Sequence, residues 1–155
     1  MIIKEEFGDL FLTDKKYALV HCISEDCAMG KGIAVEFNKR FPKMKNVLLR
    51  FFKEKPDKHF PITLLYYSIK EQRSIFNLVT KEKYWQKPTY HTISVCIYRM
   101  AEICKEKDIK YLAMPIIGCG LDKLKWKKVK AIIQDAFKDQ DIEILIKRKE
   151  TNNVY

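Results

Sequence analysis

Tyr111-Leu112-Ala113-Met114-Pro115-Ile116-Ile117-Gly118-Cys119-Gly120-Leu121-Asp122 is the stretch on which the fold of this chain turns. Its first four residues are an apolar run of strand length and Pro115 ends it. Two glycines one residue apart then turn the chain before Trp126, Val129, Ile133 and Phe137 recur at helical spacing. The same order occurs earlier: Tyr17-Ala18-Leu19-Val20-His21-Cys22-Ile23 is a second short apolar run, Gly30-Lys31-Gly32 follows, and Ile33, Ala34, Phe37 and Phe41 return at helical intervals. Two units of strand, glycine loop and helix predict a mixed α/β fold with helices on both sheet faces. Such a sheet binds ligands beyond the carboxyl ends of its strands.

Working outward, Thr63–Ile69 and Ser74–Val79 carry β-branched and aromatic residues around the polar turn Lys70-Glu71-Gln72-Arg73, the pattern of a hairpin. Pro88-Thr89 opens a helix whose apolar face is Ile93, Cys96, Ile97, Met100 and Cys104. Ile142-Glu143-Ile144-Leu145-Ile146 reads as a last strand before a polar tail. The chain has 155 residues and shows no repeat, low-complexity run or Gly/Ser linker, so one domain is expected.

At 47% hydrophobic and 32% charged residues, with no apolar run near the roughly 18 residues a membrane span needs, the composition argues against both disorder and membrane insertion. Glu5 and Glu6 come too early for a signal peptide, so the chain is expected to stay in the cytoplasm. The net charge of +10 draws in polyanions or phosphorylated ligands without choosing between them. Its densest patch, Lys123, Lys125, Lys127, Lys128 and Lys130 interrupted by Trp126 and Val129, reads as the wet face of a helix ahead of a dedicated nucleic-acid surface. The five cysteines include no Cys-x-x-Cys pair, and His21, His59 and His91 lack metal-ligand spacing; neither disulfides nor a metal site is expected.

Average usage would give about eleven glycines in such a chain, against the five present, and four of these form Gly30-x-Gly32 and Gly118-x-Gly120. Each pair stands between a predicted strand and a predicted helix, where backbone amides and the helix dipole favour an anion; the bland alternative is that they only turn the chain. Two such cradles could hold a diphosphate. Asp9, after Gly8, could accept from an adenine amino group or cap a turn, Ser24-Glu25-Asp26 could cap a turn or touch ligand, and His21 reads as a strand residue packed beneath the loop. Walker-type and dinucleotide glycine patterns are absent.

Gly8-Asp9-Leu10-Phe11, then His21-Cys22-Ile23-Ser24-Glu25-Asp26-Cys27 with Met29-Gly30 and Gly32-Ile33-Ala34-Val35, then Lys87-Pro88-Thr89-Tyr90, then Met114-Pro115 and Ile117-Gly118-Cys119-Gly120-Leu121-Asp122, resemble the macrodomain family, and within it the terminal ADP-ribose protein glycohydrolase branch. The likeness runs in order from Gly8 to about Ile146. It implies a three-layer α/β/α macrodomain with a central mixed sheet over residues 1–147, followed by a polar tail over 148–155 to which no ligand contact is assigned. It further implies an ADP-ribose site with adenine near Asp9 and Leu10. The diphosphate and distal ribose would lie between the glycine loops, against Ser24, Gly30, Gly32 and Ile33 on one side and Pro115, Ile117, Gly118, Cys119, Gly120 and Leu121 on the other. His21 and Thr80 would complete the ligand set. The catalytic lysine and aspartate of that branch fall on Lys81 and Asp122, with Lys83 as the alternative register for the lysine. Tyr84-Trp85-Gln86 departs from the family's smaller, more basic residues.

The chemistry suits the pair. A carboxylate leaving group, of pKa about 4, needs little acid assistance, so the requirement is a nucleophile at the anomeric carbon of the distal ribose. A partly neutral lysine amine supplies it. Lys81 would form a transient lysyl adduct, and Asp122 would move protons as the ring opens and water releases ADP-ribose. No metal or cofactor is called for. The resemblance thus implies hydrolysis of ADP-ribose from Glu or Asp side chains of proteins. Alternatives are its removal from thymidine in DNA, a non-catalytic ADP-ribose reader, and Appr-1-p processing as a side activity. The expected partners are ADP-ribosylated protein, with ADP-ribosylated DNA as the alternative, and free ADP-ribose, with the chain a monomer.

Overall fold

The structure, a computed structural model, describes residues 1–149; residues 150–155, most of the expected tail, lie outside it. Its elements in chain order are β1 (Ile2–Phe7), a 3-10 turn (Leu10–Leu12), β2 (Ala18–Ser24), α1 (Ile33–Arg40), α2 (Met44–Glu54), β3 (Ile62–Ser68), β4 (Arg73–Lys81), α3 (Tyr90–Glu106), β5 (Tyr111–Met114), α4 (Trp126–Phe137) and β6 (Glu143–Arg148). The strands make one sheet in the order β1-β6-β5-β2-β4-β3. All neighbours are parallel except the β3–β4 hairpin, so the sheet is mixed, as expected.

Alternation along the central strands divides the interior into two cores. Val20, Phe76, Leu78, Leu112 and Ile144 face α3 and α4, where Ile93, Ile97 and Met100 meet Val129, Ile133 and Phe137. Leu19, Ile75, Val79, Ala113 and Leu145 point the other way, onto Phe37 of α1 and Met44 and Leu48 of α2. The result is the three-layer α/β/α arrangement. Thr89 starts α3 with a capping box: its Oγ1 accepts from the Thr92 amide at 3.0 Å while the Thr92 hydroxyl oxygen accepts from the Thr89 amide at 3.0 Å.

The sequence reading left β1 and α2 unassigned. β1 is an edge strand whose residues are exposed apart from half-buried Ile3, so it carries no period-two signal. α2 buries only Met44 and Leu48 among its eleven residues. The last strand continues through Arg148, one residue past the expected domain boundary, because β1 pairs with it up to Phe7 opposite Arg148.

His21 is fully buried in β2, stacked on Phe37 with ring centroids 3.8 Å apart. Its Nε2 lies 2.6 Å from Asn77 Oδ1, an acceptor, so Nε2 carries the proton of the neutral ring, and Nδ1 has no partner. Burial pushes the imidazole pKa down from 6.5 to about 4, against the opposing pull of the Asn77 contact. A group easier to protonate unfolded than folded contributes stability that is complete above the unfolded pKa and is lost as pH falls from there toward the folded value. Between pH 7 and pH 5 this amounts to roughly 2 kcal/mol. Urea unfolding of the wild type and of His21→Gln at both pH values checks it: the variant's decline should be shallower by about that amount, and parallel declines would show that His21 does not titrate on unfolding.

Candidate active site

The parallel strands β1, β2, β4, β5 and β6 all end on one edge of the sheet, and their last residues open onto a single cleft of about 1040 Å³. Phe7, Ser24, Lys81, Pro115 and Arg148, from the ends of the five strands or just past them, all line it. Helices from the two faces cannot cover this edge without crossing it, so loops do. The loop after β2 contributes Ala28–Ile33, the loop after β5 contributes Pro115–Ile117, Gly118 and Gly120–Lys123, and the loop after β4 contributes Tyr84–Lys87.

At the β4 side Lys81 Nζ donates to Asp122 Oδ1 at 2.8 Å, with 14% and 17% of the two side chains exposed. The contact joins residues 41 apart in sequence. Lys81 closes β4, where the ladder with β2 slips so that Ser24 pairs with Lys81, and its carbonyl accepts from the Glu25 amide at 2.8 Å. Asp122 is carried by the second glycine loop, folded on itself by Cys119 N to Ile116 O at 3.1 Å and Leu124 N to Gly118 O at 2.8 Å. Gly118 has φ +72°, and a Cβ there would lie 2.8 Å from Ile93 Cδ1, so any other residue would be strained in that turn and would have to displace Ile93 of α3. Lys83 is exposed and does not line the cleft, which leaves Lys81 as the lysine beside Asp122.

Asp26 stands between two of these loops. It accepts from the Ser24 hydroxyl, from the Ala28 amide at 3.1 Å and from the Tyr84 amide at 3.1 Å. Burial pushes its carboxyl up, but those hydrogen bonds and the nearby Lys83 charge outweigh it and hold the group below the ordinary carboxylate value. Lys87 reaches across the mouth to donate to the Leu121 carbonyl at 2.9 Å. The Cys22 thiol lines the cleft, but burial first, then neighbouring Cys96, Asp122 and Cys119, raises its pKa well above normal; burial pushes Cys119 up to about 11. Both thiols remain protonated at neutral pH.

Of the residues expected at a ligand, Ser24, Gly30, Gly32, Ile33, Pro115, Ile117, Gly118, Gly120 and Leu121 line the cleft with Lys81 and Asp122. Asp9, Leu10, His21, Thr80 and Cys119 do not. Leu10, His21 and Thr80 are buried beneath it, and Asp9 caps the 3-10 turn by accepting from the Phe11 amide at 2.9 Å. The two glycine loops also differ. Gly32, at φ 64°, is the N-cap of α1 with no side chain capping it, so the helix dipole bears on the cleft there. Gly118-x-Gly120 is separated from α4 by Leu121–Lys125, so the expectation of a second helix-dipole cradle is not met. Phe7, Lys147, Arg148 and Lys149 line the opposite end of the cleft, though no ligand contact was expected of the chain's end. The signal that would have found them is the rule itself: every parallel strand delivers its last residues to this edge. Lys123 of the basic patch also lines the cleft, while Lys127 and Lys128 are exposed on α4. Among the described residues no group of three or more His, Cys, Asp or Glu is placed to hold a metal ion.

The comparisons with known proteins agree with this architecture. The ADP-ribose glycohydrolase OARD1 of Bos taurus is 40% identical over 139 residues, spanning 90% of this chain and 86% of that protein. The DNA ADP-ribosyl glycohydrolase of Mycobacterium tuberculosis is 29% identical over 147 residues, 90% of this chain but 40% of that protein. In fold the chain resembles the solved macrodomain of Mycobacterium tuberculosis DarG, with a TM-score of 0.84 at 24% identity, covering 94% of this chain and 97% of that one. A family model described as Macro domain matches residues 20–133, and with the β-strand order, the cleft and these relatives it places the chain in the Macro domain family.

Proposed function

We propose that this chain binds ADP-ribose in the cleft and hydrolyses it from a carrier through Lys81 and Asp122. The observation that carries the reading is the Lys81–Asp122 contact at 2.8 Å, inside the cleft and flanked by both glycine loops. The diphosphate sits at the uncapped N-terminus of α1, where backbone amides and the dipole meet it. The distal ribose then reaches Lys81, and the adenosine end extends toward Phe7 and Arg148.

In the reaction, Lys81 passes a proton to Asp122 along their hydrogen bond and its lone pair forms a C–N bond to the anomeric carbon. The bond from that carbon to the carrier oxygen breaks, and the carboxylate leaves with the electron pair. Asp122 gives its proton to the ring oxygen and takes one from the adduct nitrogen as the sugar opens to a protonated lysyl imine. Water adds to the imine carbon and releases one proton to solvent. The C–N bond breaks as the nitrogen takes up the Asp122 proton and that of the new hydroxyl, and the Lys81 ammonium and ADP-ribose separate. The chemistry asks for no metal or cofactor. Because the leaving group is a weak base, the first carrier is a Glu or Asp side chain of a protein.

One observation favours a second carrier. Tyr84 and Trp85, 58% and 68% exposed, line the mouth beside Lys81 with Lys31, Lys87 and Lys123, and aromatic rings among cations suit the bases and phosphates of single-stranded DNA. The relatives include both an ADP-ribose glycohydrolase and a DNA ADP-ribosyl glycohydrolase. ADP-ribose 1″-phosphate would enter the same cleft, as the side activity the sequence led us to expect. No helix among the described residues is long and apolar enough to cross a membrane; the reading keeps the chain a cytoplasmic monomer.

Lys81→Ala should retain ADP-ribose binding and lose turnover by a factor of about 10³ or more, whereas Lys83→Ala should turn over like the wild type. Mass spectrometry of a glutamate-ADP-ribosylated protein with isothermal titration of ADP-ribose checks both. Full activity in Lys81→Ala would reduce the chain to a reader or move the chemistry elsewhere.

The same assay on a thymidine-ADP-ribosylated oligonucleotide separates the carriers. If DNA is the substrate, Trp85→Ala should raise KM for the oligonucleotide several-fold and leave the protein substrate unchanged; no release of ADP-ribose from the oligonucleotide would remove the second reading.

A further inference from the structure

We infer that Asp26 and Lys87 are positioning residues that hold Lys81 and Asp122 at reacting distance. The pair sits on two separate pieces of chain, and nothing within either piece sets the gap between them. Lys81 ends β4, and Asp122 rides on the loop after β5. Between β4 and β5 in the sheet lies β2, so no ladder joins the two strands directly.

The segment from Lys81 to Lys87 is braced from both sides. On one side, the loop after β2 grips it: the Glu25 amide donates to the Lys81 carbonyl at 2.8 Å, the Asp26 amide to the Glu82 carbonyl at 3.2 Å, and the Tyr84 amide to Asp26 Oδ2 at 3.1 Å. The other carboxylate oxygen of Asp26 accepts from the Ala28 amide at 3.1 Å and from the Ser24 hydroxyl. One side chain therefore fixes the strand end that carries the lysine to the loop that leads into Gly30 and Gly32. On the other side, Lys87 Nζ donates to the Leu121 carbonyl at 2.9 Å, one residue before Asp122. Lys87 is exposed, and a free ammonium at the surface would be held by water; its bond to a main-chain oxygen spans the mouth and ties the lysine segment to the aspartate loop.

The two braces act through Lys81 and Asp122, not on substrate bonds. A misplacement of the order of 1 Å in such a pair slows the chemical step by up to about a hundredfold. The prediction is specific to the step. Binding of ADP-ribose is proposed to rest on the backbone amides at the α1 terminus, from Gly32 onward and beyond the Ala28 amide that Asp26 holds, so it should change little when a brace is loosened.

The inference rests on the assignment of Lys81 and Asp122 as the reacting pair, and the experiment separates the two. Wild type, Lys81→Ala, Asp26→Asn, Lys87→Met and Lys87→Arg are compared on a glutamate-ADP-ribosylated protein for kcat and KM, with ADP-ribose affinity by calorimetry and Tm measured alongside. Asp26→Asn keeps the size of the side chain but turns one acceptor into a donor facing the Tyr84 amide. Lys87→Met keeps the stem and loses the donor. The expected result is a fall in kcat of roughly tenfold to a hundredfold in both. ADP-ribose affinity should stay within about twofold, Tm should be nearly unchanged, and Lys87→Arg, whose guanidinium can still donate to the Leu121 carbonyl, should recover most of the rate. Unchanged kcat in Asp26→Asn and Lys87→Met, while Lys81→Ala is inactive, would overturn the braces alone. So would a fall in kcat that tracks equal losses of affinity and Tm, or no recovery in Lys87→Arg. Full activity in Lys81→Ala would instead overturn the functional reading beneath them.

Discussion

Lys81 and Asp122 have each given up most of their water to face one another at 2.8 Å, and an ion pair in that position is costly to build. Replacing such pairs with apolar side chains is often neutral or stabilising, so stability does not explain its presence. The edge of the sheet could have been closed over by apolar loops, as its two faces are by helices. Instead the strand ends stop at a common line and leave a cleft in which, among the described residues, Lys81 and Asp122 form a mostly buried ion pair. The rest of the molecule follows from having to hold two charges there. The lysine is on the last residue of a strand fixed by its neighbours in the sheet, and the aspartate is on a loop that approaches α3 closely at a glycine of positive φ.

The two cores serve this arrangement unequally. The face under α3 and α4 is wide and almost wholly apolar, and α3 alone buries seven of its residues there. The face under α1 and α2 contains His21 and Asn77, polar groups that bond to each other in the interior. His21 stacks on Phe37 of α1, the helix whose first turn points at the cleft. A neutral ring there supports the helix without bringing a competing charge near the anion site. A cationic ring in the same place would carry a buried N–H with no acceptor at Nδ1, and burial holds it neutral.

Much of this was legible from the sequence because local signals and tertiary roles coincide. Tyr111–Met114 is a strand of the expected bounds, since a central parallel strand is apolar on both faces. The helix opened by Thr89 was marked by its cap as well as by its apolar face. β1 and α2 were hidden because each places few side chains in a core, and β1 becomes a strand only through its pairing with β6. In the site, the order of motifs led to nine residues that line the cleft with Lys81 and Asp122. Leu10, His21 and Thr80, which the resemblance also implied at the ligand, are buried and do not line the cleft, because a motif marks the neighbourhood of a site without saying which of its side chains face it. The end of β6 went unread for the opposite reason: Lys147 and Arg148 look like the start of a polar tail until the parallel sheet brings them to the cleft.

The identity of the carrier divides between binding and chemistry. Beside Lys81 the described residues of the cleft present one carboxyl group, Asp122, already engaged with that lysine, and the rim carries further lysines. A departing carboxylate asks for nothing more than that positive field, since it leaves as a stable anion of pKa about 4. A nucleobase nitrogen is a much poorer leaving group and needs a proton delivered from its own side, which here must come from a rim ammonium or water. The aromatic rings of Tyr84 and Trp85 can improve the residence of a stacked base without supplying that proton. The rim therefore bears on how long a carrier stays, while the acidity of the leaving group bears on how fast the bond breaks. Under the proposed mechanism, a carrier held well by the rim and one released readily by the pair need not be the same molecule, and the positive field of the rim lysines suits a departing carboxylate at the step where the bond is cut.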